Sequence, residues 1–287
     1  MCEDIKIYMY TLFAFDLDGT LLDDRKHLPD ENRTALCAAA AAGIVLVPAT
    51  GRILQALPEE LLQLGLFRYF IFANGASVYD LQENRTLFSA CIEPELAAEV
   101  CSYMDTLPVL YDCYRGEWGY MTAWMYEAAP AFFETEPEIL KLVRRLRKPV
   151  PELKENILAM GKPLEKLQMF FRPEHMDERA RELIELPKRF PMLQATSSLR
   201  NNIEINSIHA GKGRALRELC LQLGLDREDT VAFGDGLNDL DMLVFAGRGV
   251  AMANADLRVK EKADAVTEEN NGSGVGKEIF RLLQASL

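Results

Sequence analysis

Residues 11–20 read TLFAFDLDGT, an apolar run that is closed by Asp16, Asp18 and a glycine. Five apolar or small residues followed by a glycine-containing turn are typical of a buried strand in the middle of a parallel sheet. Open α/β sheets bind their ligands at the carboxyl ends of such strands. The stretch therefore predicts an α/β fold that carries two carboxylates at its ligand-binding edge.

Two aspartates at a buried strand end are energetically costly, because unpaired carboxylates repel each other and lose their hydration. A bound Mg²⁺ would remove this cost, since it is a hard cation that prefers oxygen ligands. The Asp16 carboxylate could then attack phosphorus and form an aspartyl-phosphate. The alternative without any chemistry is an Asp-Gly turn that happens to follow a strand.

Two further segments supply groups that suit a phosphate ligand. Residues 44–52, IVLVPATGR, predict a second strand that ends near Thr50, whose hydroxyl could bond a phosphate oxygen. Gly51 would let backbone N–H groups approach the anion. Lys212 begins a helical pattern that stops at Gly224, and an anion bound there would offset the unfavourable position of a cation at this end of the helix dipole. Each feature alone is also compatible with an ordinary turn.

The fourth segment, residues 230–239, reads TVAFGDGLND and predicts another buried strand that ends in acids. Asp235 could ligate the metal directly, and Asp239 could bind it through water or contact Lys212. An acidic helix N-terminus, which the helix dipole favours, is the alternative. Together the four segments contain a nucleophile, metal ligands, a phosphate-binding hydroxyl and a cation, which are the groups that phosphoryl transfer requires.

In their order and spacing, these segments resemble the four motifs of the haloacid dehalogenase superfamily. More narrowly, the chain resembles its Cof-type, sugar-phosphatase-like branch in four stretches: ANGA at 73–76, GDGLND at 234–239, VAMANA at 250–255 and NNGSGV at 270–275. The resemblance implies a Rossmann-like, doubly wound parallel sheet as the core, with a large cap inserted between the second and third motifs. It also implies a hydrolase that acts on small phosphorylated metabolites.

Carried over by position, the resemblance assigns roles to the acids of the first and fourth motifs. Asp16 would be the nucleophile, and Asp18 would be the general acid and base. Mg²⁺ would be held by the carboxylates of Asp16 and Asp235 and by the backbone carbonyl of Asp18. Asn238 and Asp239 would support the metal and Lys212.

The resemblance also places substrate-binding residues in the motifs. Thr50 and Lys212 would bind the phosphoryl oxygens. The chain departs from the branch at Leu237, where a polar residue is frequent, and at Gly211, where Ser is common, but neither departure removes a catalytic group. Further contacts with the substrate are expected from five residues of the second motif, the ANGA stretch and the fourth motif: Gly51, Arg52, Asn74, Gly75 and Asn238.

The chain alternates between strand and helix patterns near its two ends and changes character in the middle. Helical patterns over about residues 30–42 and 54–64, with an apolar strand at 69–72, imply right-handed β-α-β crossovers in a parallel sheet. From about residue 81, short strands are mixed with helices. We therefore predict a catalytic core of residues 1–81 and 207–287, with an inserted α+β cap domain of residues 82–206.

The predicted cap is well placed to act as a lid, since it follows the third strand of the core. Its closure would exclude water and bring side chains to the leaving group. Arg115 and Trp118 are candidates for such contacts, as are Arg172 and Arg200. The alternative is that these residues belong to the surface or the core of the cap.

Composition limits the partners and the compartment. A net charge of −12 over 287 residues argues against nucleic acid and anionic membranes as partners, although a metal and local cations can still attract a phosphate. Six cysteines without a Cys-x-x-Cys pair, and only three histidines, argue against a zinc site. The first residues, MCEDIK, are unlike a signal peptide, so we expect a cytoplasmic protein with reduced thiols, either a monomer or a homodimer.

The sequence thus predicts a Mg²⁺-dependent phosphatase that acts on a small phosphomonoester, either a sugar phosphate or a cofactor-like phosphate. A phosphomutase of similar architecture, which returns the phosphoryl group to a sugar hydroxyl, is an alternative, and a non-catalytic regulatory module is another. A dehalogenase is disfavoured because a haloalkanoate does not need the acid that Asp18 supplies. An ion-pumping ATPase is disfavoured because the sequence shows no membrane-spanning stretch.

Overall fold

A computed structural model describes residues 10–134 and 136–285, which contain 14 strands in three sheets. The strands are, in chain order, β1 (Leu12–Phe15), β2 (Val45–Pro48), β3 (Tyr69–Phe72), β4 (Ser77–Asp80), β5 (Arg85–Ser89), β6 (Val109–Arg115), β7 (Trp118–Thr122), β8 (Arg147–Val150), β9 (Lys166–Phe171), β10 (Leu193–Thr196), β11 (Asn202–Ser207), β12 (Thr230–Gly234), β13 (Arg248–Ala251) and β14 (Ala265–Val266).

Helices occupy much of the chain between these strands. The α-helices are α1 (Asp30–Ala41), α2 (Glu59–Gln63), α3 (Pro94–Met104), α4 (Ala123–Ala128), α5 (Pro137–Leu146), α6 (Leu153–Met160), α7 (Met176–Arg189), α8 (Lys212–Leu223), α9 (Leu240–Phe245), α10 (Leu257–Lys260) and α11 (Gly274–Ala285). Among the described residues, none of these helices has the length and apolar character that a membrane crossing requires.

The described residues form two compact units. The first unit consists of the residues up to 50, residues 58–88 and the residues from 211 onward, and the second consists of residues 51–57 and 89–210. The second unit thus includes Gly51 and Arg52 of the second motif and the five residues that follow them. The domain boundaries at 82 and 206 that we predicted from the sequence stay a prediction.

The main sheet of the first unit has the strand order β14-β13-β12-β1-β2 and is parallel throughout. Along the chain, β2 is added on one side of β1, whereas β12, β13 and β14 extend the sheet on the other side. The strand order therefore reverses between β1 and β12, and doubly wound sheets bind ligands outside the carboxyl ends of strands at such a point. The predicted α/β fold with a parallel core sheet is confirmed.

The two central strands are apolar because both faces of a central parallel strand are covered. Every residue of β1 and of β12 is buried. Phe15 lies opposite Phe233 in the strand pairing, and their rings stack with centroids 5.3 Å apart, a contact worth about 1 kcal/mol beyond area burial. This packing brings the residues that follow the two strands, Asp16 and Asp235, to the same edge of the sheet.

The second unit contains a six-stranded sheet with the order β10-β11-β9-β6-β7-β8. Its strand pairs are antiparallel except for the parallel pair of β7 and β8. Apolar residues of the strands and of the helices between them form its main core, which includes Phe133, Phe170 and Leu186. This is the mixed α+β arrangement that the sequence predicted for the middle of the chain.

The helix predicted over about residues 54–64 is wrong in its first half. The segment forms a 3₁₀ turn at Leu54–Ala56, and α2 begins only at Glu59. Pro58 explains the break, because proline disfavours helical backbone in the preceding residue, and Leu57 has an extended ψ of 144°. The strand predicted at residues 69–72 coincides with β3.

Candidate active site

The candidate site lies at the carboxyl ends of β1 and β12, where the strand order reverses. Asp16 directly follows β1, and its backbone N–H donates to the Phe233 carbonyl oxygen at 2.9 Å. Asp235 directly follows β12. Carboxylate oxygens of Asp16, Asp235 and Asp239 lie within 4.8 Å of one another, so the structure brings together acids that are more than 200 positions apart in the sequence.

Lys212 is the cation of this cluster. It is the first residue of α8 and has no exposed surface. Its Nζ lies 2.5 Å from Asp16 Oδ1 and 2.5 Å from Asp239 Oδ1. Two carboxylates therefore replace the hydration that the buried ammonium has lost, as a buried charge requires.

Asp239 uses both of its carboxylate oxygens within the protein. While Oδ1 accepts from Lys212, Oδ2 accepts from the backbone N–H groups of Asp235 and Gly236 at 3.0 and 2.9 Å. Asp239 thus holds the lysine and the turn after β12 at the same time. Of the two roles considered from the sequence, the contact with Lys212 is the one that this geometry favours.

The cluster carries an excess of negative charge. Burial raises the pKa of Asp16 well above its ordinary value, although the Lys212 ammonium opposes the shift. Burial also raises the pKa of Asp235 to about 6. Burial lowers the pKa of Lys212, but Asp16 and Asp239 outweigh it, so that the pKa is raised overall. Three carboxylates facing one ammonium leave two formal negative charges, which one hard divalent cation with oxygen ligands would balance.

Thr20 orients Asp235, a contact that the sequence analysis missed. Its hydroxyl donates to Asp235 Oδ1 at 2.7 Å, and the residue is fully buried. This hydrogen bond lowers the pKa of Asp235 and so opposes the effect of burial. The signal was present in the sequence as a hydroxyl residue at the end of the first motif, but nothing there indicated its distant partner.

Two asparagines hold the loop that follows β1. Asn254 Nδ2 donates to the Gly19 carbonyl oxygen at 2.8 Å, and Asn254 Oδ1 accepts from the Asn270 N–H at 3.0 Å. Asn270 Nδ2 in turn donates to the Leu22 carbonyl oxygen at 3.0 Å. The VAMANA and NNGSGV stretches, which the sequence analysis used only as marks of resemblance, therefore support the first motif.

Asp18 lies apart from the close trio of acids. Its side chain is 37% exposed, and its Oδ1 lies 2.8 Å from Lys26 Nζ. The structure thus places Asp16 among buried charges and Asp18 in a more solvated position two residues later. The predicted roles of Asp18, as general acid and base and as a metal ligand through its carbonyl, stay predictions.

The second motif and the ANGA stretch meet the fourth motif through backbone and amide contacts. The Thr50 N–H donates to the Ile71 carbonyl oxygen at 2.8 Å, and the Asn74 N–H donates to the Thr50 carbonyl oxygen at 3.0 Å. Asn238 Nδ2 lies 3.4 Å from Asn74 Oδ1. Thr50, Asn74 and Asn238, which were selected separately from the sequence, are therefore connected in the first unit.

Gly75 allows the ANGA stretch to approach the start of α8. Its φ is +85°, and a Cβ built on it would lie 2.1 Å from the Gly211 carbonyl oxygen and 2.7 Å from the Lys212 backbone nitrogen. Only glycine combines this backbone conformation with such a close approach. The ANGA stretch can therefore pack against the backbone of Lys212 only because residue 75 has no side chain.

The departure at Gly211 has a structural explanation. A Cβ at this position would lie 2.5 Å from Asp241 Oδ2, which accepts from the Gly213 N–H at 2.9 Å. Asp241 therefore occupies the space that a serine side chain would need. The other departure, Leu237, is 47% exposed, so this chain presents an apolar side chain in its fourth motif.

Six candidates for substrate contact lie in the second unit: Gly51, Arg52, Arg115, Trp118, Arg172 and Arg200. Arg52 Nη1 donates to the Ala56 carbonyl oxygen at 2.8 Å. Arg115 and Trp118 are opposite each other in the β6–β7 pair, and Lys148 Nζ lies 4.0 Å from the centroid of the Trp118 ring. Their contact with a substrate stays a prediction.

Comparisons with known proteins give likenesses over nearly the whole chain. The family model of haloacid dehalogenase-like hydrolases matches residues 13–279. The chain is 34% identical over 277 residues to the 5-amino-6-(5-phospho-D-ribitylamino)uracil phosphatase YcsE of Bacillus subtilis, with 96% of each chain covered.

Solved structures agree with this likeness. A haloacid dehalogenase-like hydrolase from B. subtilis superposes with a TM-score of 0.78 at 30% identity, covering 95% of this chain and 99% of that one. A sugar phosphatase of haloacid dehalogenase subclass IIB superposes with a TM-score of 0.79. Its identity is 23%, with 94% of this chain and 98% of that one covered, so this second likeness concerns the fold.

Replacing Gly75 by alanine is expected to destabilise the protein strongly, because the new Cβ would meet the backbone of Gly211 at 2.1 Å. We expect the free energy of unfolding to fall by more than about 3 kcal/mol, from left-handed backbone strain and overpacking together. Urea unfolding followed by circular dichroism measures this loss.

Gly43→Ala is the matched control for this change. Gly43 has a similar φ of +83°, but no described atom lies within 4 Å of the Cβ that would be added. The control should lose only the backbone strain, about 1–2 kcal/mol. Equal losses in the two variants would contradict the close approach of the ANGA stretch to Gly211.

Proposed function

The chain belongs to the haloacid dehalogenase-like hydrolases, and from this premise we propose that it is a Mg²⁺-dependent phosphatase that works through an aspartyl-phosphate on Asp16. It is a hydrolase of phosphoric monoesters, as its family and its relatives indicate. The observation that carries the finer proposal is the placement of Asp16, a nearly buried carboxylate between the buried ammonium of Lys212 and the second acid Asp235.

The first half of the reaction is assigned to Asp16 and Asp18. Because Asp16 Oδ1 accepts from Lys212, we assign the attack on phosphorus to Oδ2. As the bond between Oδ2 and phosphorus forms, the bond from phosphorus to the ester oxygen breaks, and that oxygen takes a proton from the Asp18 carboxyl group. The products of this half are an alcohol and the aspartyl-phosphate.

The second half returns the enzyme to its starting state. Asp18, now a carboxylate, removes a proton from water, and the resulting hydroxide attacks phosphorus. The bond between phosphorus and Asp16 Oδ2 breaks, so that inorganic phosphate leaves and the Asp16 carboxylate is restored. Lys212 is held in place by Asp239 and offers its charge to the phosphoryl oxygens throughout.

The metal site is proposed to consist of Asp16 and Asp235, with the Asp18 carbonyl oxygen as a further ligand. All three are oxygen donors, which suits Mg²⁺. When bound, Mg²⁺ supplies charge neutralisation at the phosphoryl oxygens. Thr20 orients Asp235 for this role by its hydrogen bond to Oδ1.

The substrate is proposed to be a small phosphorylated metabolite, such as a sugar phosphate or a cofactor-like phosphate. The support comes from the B. subtilis relative at 34% identity, which is named for a phosphoribitylamino-uracil. A screen of phosphorylated metabolites for phosphate release tests the class. An isomeric sugar phosphate as product, without free phosphate, would identify a phosphomutase instead. The cytoplasmic location and the oligomeric state expected from the sequence stay predictions.

Asp16→Asn is expected to abolish turnover, because an amide does not form the aspartyl-phosphate. With p-nitrophenyl phosphate and Mg²⁺, we expect less than a few per cent of the wild-type kcat, a loss of at least about 2 kcal/mol in transition-state stabilisation. The fold should remain, since Lys212 keeps Asp239 as its counter-ion.

The control for this substitution is Asp264→Asn, the same change at an exposed acid of the first unit that accepts from the Gly249 N–H. It should retain wild-type turnover. Substantial turnover in a pure preparation of Asp16→Asn would rule out Asp16 as the nucleophile, and loss of turnover in Asp264→Asn would point to an unspecific effect of charge removal.

Mg²⁺ binding is expected to weaken as the pH falls from 7 to 5, because protons compete with the metal for Asp235. Burial raises the pKa of this carboxyl to about 6, and the bond from Thr20 opposes the shift. Below that pH, the apparent affinity should fall by up to about ten-fold per pH unit. Isothermal titration calorimetry at pH 7 and pH 5 measures this affinity. In a separate experiment, removal of the metal with a chelator should abolish the phosphatase activity.

The same pKa has a consequence for the metal-free protein. Since the folded-state pKa of Asp235 is raised above its ordinary value of 3.8, the folded state binds this proton more tightly than the unfolded state between about pH 4 and 6. The contribution of this group to stability is therefore present at low pH and is lost as the pH rises through about 6. An Asp235→Asn variant should lose both this pH dependence and most of its Mg²⁺ affinity, whereas equal Mg²⁺ affinity of the wild type at pH 5 and 7 would contradict the assignment.

A further inference from the structure

The segment that begins at Gly51, inside the second motif, packs within the second unit. Residues 51–57 belong to that unit, whereas the preceding Thr50 belongs to the first. Ile53 and Ala56 form a small apolar cluster with Tyr114 of β6. The chain therefore passes from one unit to the other at the peptide that joins Thr50 to the next residue.

A buried lysine of the second unit contacts this segment at its first residue. Lys166 of β9 is 2% exposed, and its Nζ donates to the Gly51 carbonyl oxygen at 2.8 Å. The same Nζ donates to Glu204 Oε1 of β11 at 3.0 Å and lies 4.7 Å from the centroid of the Tyr114 ring. Ser198 also donates to Glu204 Oε1, at 2.7 Å, which fixes the carboxylate.

We propose that Lys166 is a positioning residue that orients the Gly51–Arg52 peptide next to the phosphate-binding Thr50. The inference rests on the proposed function and on the expectation from the sequence that Thr50 binds a phosphoryl oxygen. A planar trans peptide directs its N–H opposite to its C=O. Fixing the Gly51 carbonyl therefore fixes the direction of the Arg52 N–H and limits the freedom of the glycine between two motif residues.

Gly51 needs such a contact more than other residues would. Glycine has the largest backbone freedom, and it has no side chain whose packing could hold it in place. Groups that bind a reacting phosphoryl must be held to within a fraction of an ångström, and a misplacement of 1 Å can cost about 100-fold in rate. A charged donor gives a stronger bond to a carbonyl than a neutral one does.

A purely structural role for the Lys166–Glu204 pair makes a different prediction. Replacing both partners of a buried ion pair by neutral side chains of similar volume is often nearly neutral for stability, because no lone charge is left behind. If the pair served only the fold, its joint removal would leave catalysis unchanged in a folded protein. If Lys166 positions Gly51, catalysis falls although the fold remains.

The test compares the full chain carrying Lys166→Met and Glu204→Gln together with the Glu204→Gln variant alone. The double variant removes the ion pair and the contact with Gly51, whereas the single variant removes the charge of Glu204 and keeps Lys166 beside Gly51. Steady-state kinetics use p-nitrophenyl phosphate as substrate and inorganic phosphate as competitive inhibitor, with the melting temperature measured for each protein.

We expect kcat/KM of the double variant to fall about ten-fold or more, with a similar rise in the inhibition constant of inorganic phosphate. The single variant should stay within about three-fold of the wild type in both constants, less than 1 kcal/mol by the usual conversion. Wild-type values of both constants in the folded double variant, or equal losses in both variants, would overturn the inference.

Lys166→Gln provides the same test with a polar side chain kept, in case the double variant does not fold. Its side chain ends one bond earlier than the lysine ammonium and carries no positive charge, so the charged contact with the Gly51 carbonyl oxygen is lost. It should show the same loss of phosphate affinity, and wild-type affinity would count against the inference.

The outcomes also separate this inference from the proposed function. If the wild-type protein releases no phosphate, the proposed function fails. If the wild-type protein is active and the Lys166 variants are equally active, only the positioning role fails.

Discussion

The charge balance around Lys212 is the interaction on which the rest of the site depends. A lysine without exposed surface is stable only when charged partners replace its hydration, and Asp16 and Asp239 do so at 2.5 Å each. Both carboxylate oxygens of Asp239 thus accept hydrogen bonds, one from the lysine and the other from the turn after β12. Asp16, in contrast, also lies close to the carboxylate of Asp235. The remaining negative charge is of the amount and chemistry that a divalent hard cation would compensate.

The second constraint is that two backbone segments lie very close to residues of the site, which is possible because each segment has a glycine at the point of contact. Gly19 has a φ of +86° and lies so close to Asp235 that an added Cβ would be 2.5 Å from its carboxylate. Gly75 similarly admits the backbone that leads into Lys212. Asp235 and Lys212 are therefore each approached by a chain segment that is far away in sequence. A side chain at Gly19 would push its loop away from Asp235, and one at Gly75 would push the ANGA stretch away from the start of α8.

Much of the candidate site could be predicted because strand ends in a parallel sheet share one edge. The apolar runs before Asp16 and Asp235 predicted two such ends, and the structure brings these carboxylates together. The helix predicted over about residues 54–64 was wrong in its first half because Pro58 interrupts it. Thr20 was missed because no strand-end pattern connects it with its partner Asp235, which lies 215 positions away. The local sequence pattern around Thr20 does not indicate which distant residue its hydroxyl contacts.

From the sequence alone, the fold class could be predicted because the alternation of apolar strands and helices is a property of short stretches, and the family could be named because four short motifs resemble it. The tertiary structure decided how the charges are shared. It placed Asp239 on Lys212, left Asp18 beside Lys26 at 37% exposure, and set the buried Lys166 against the Gly51 carbonyl. These outcomes depend on burial and on distances between segments that are remote in sequence, and only packing of the whole chain fixes those quantities.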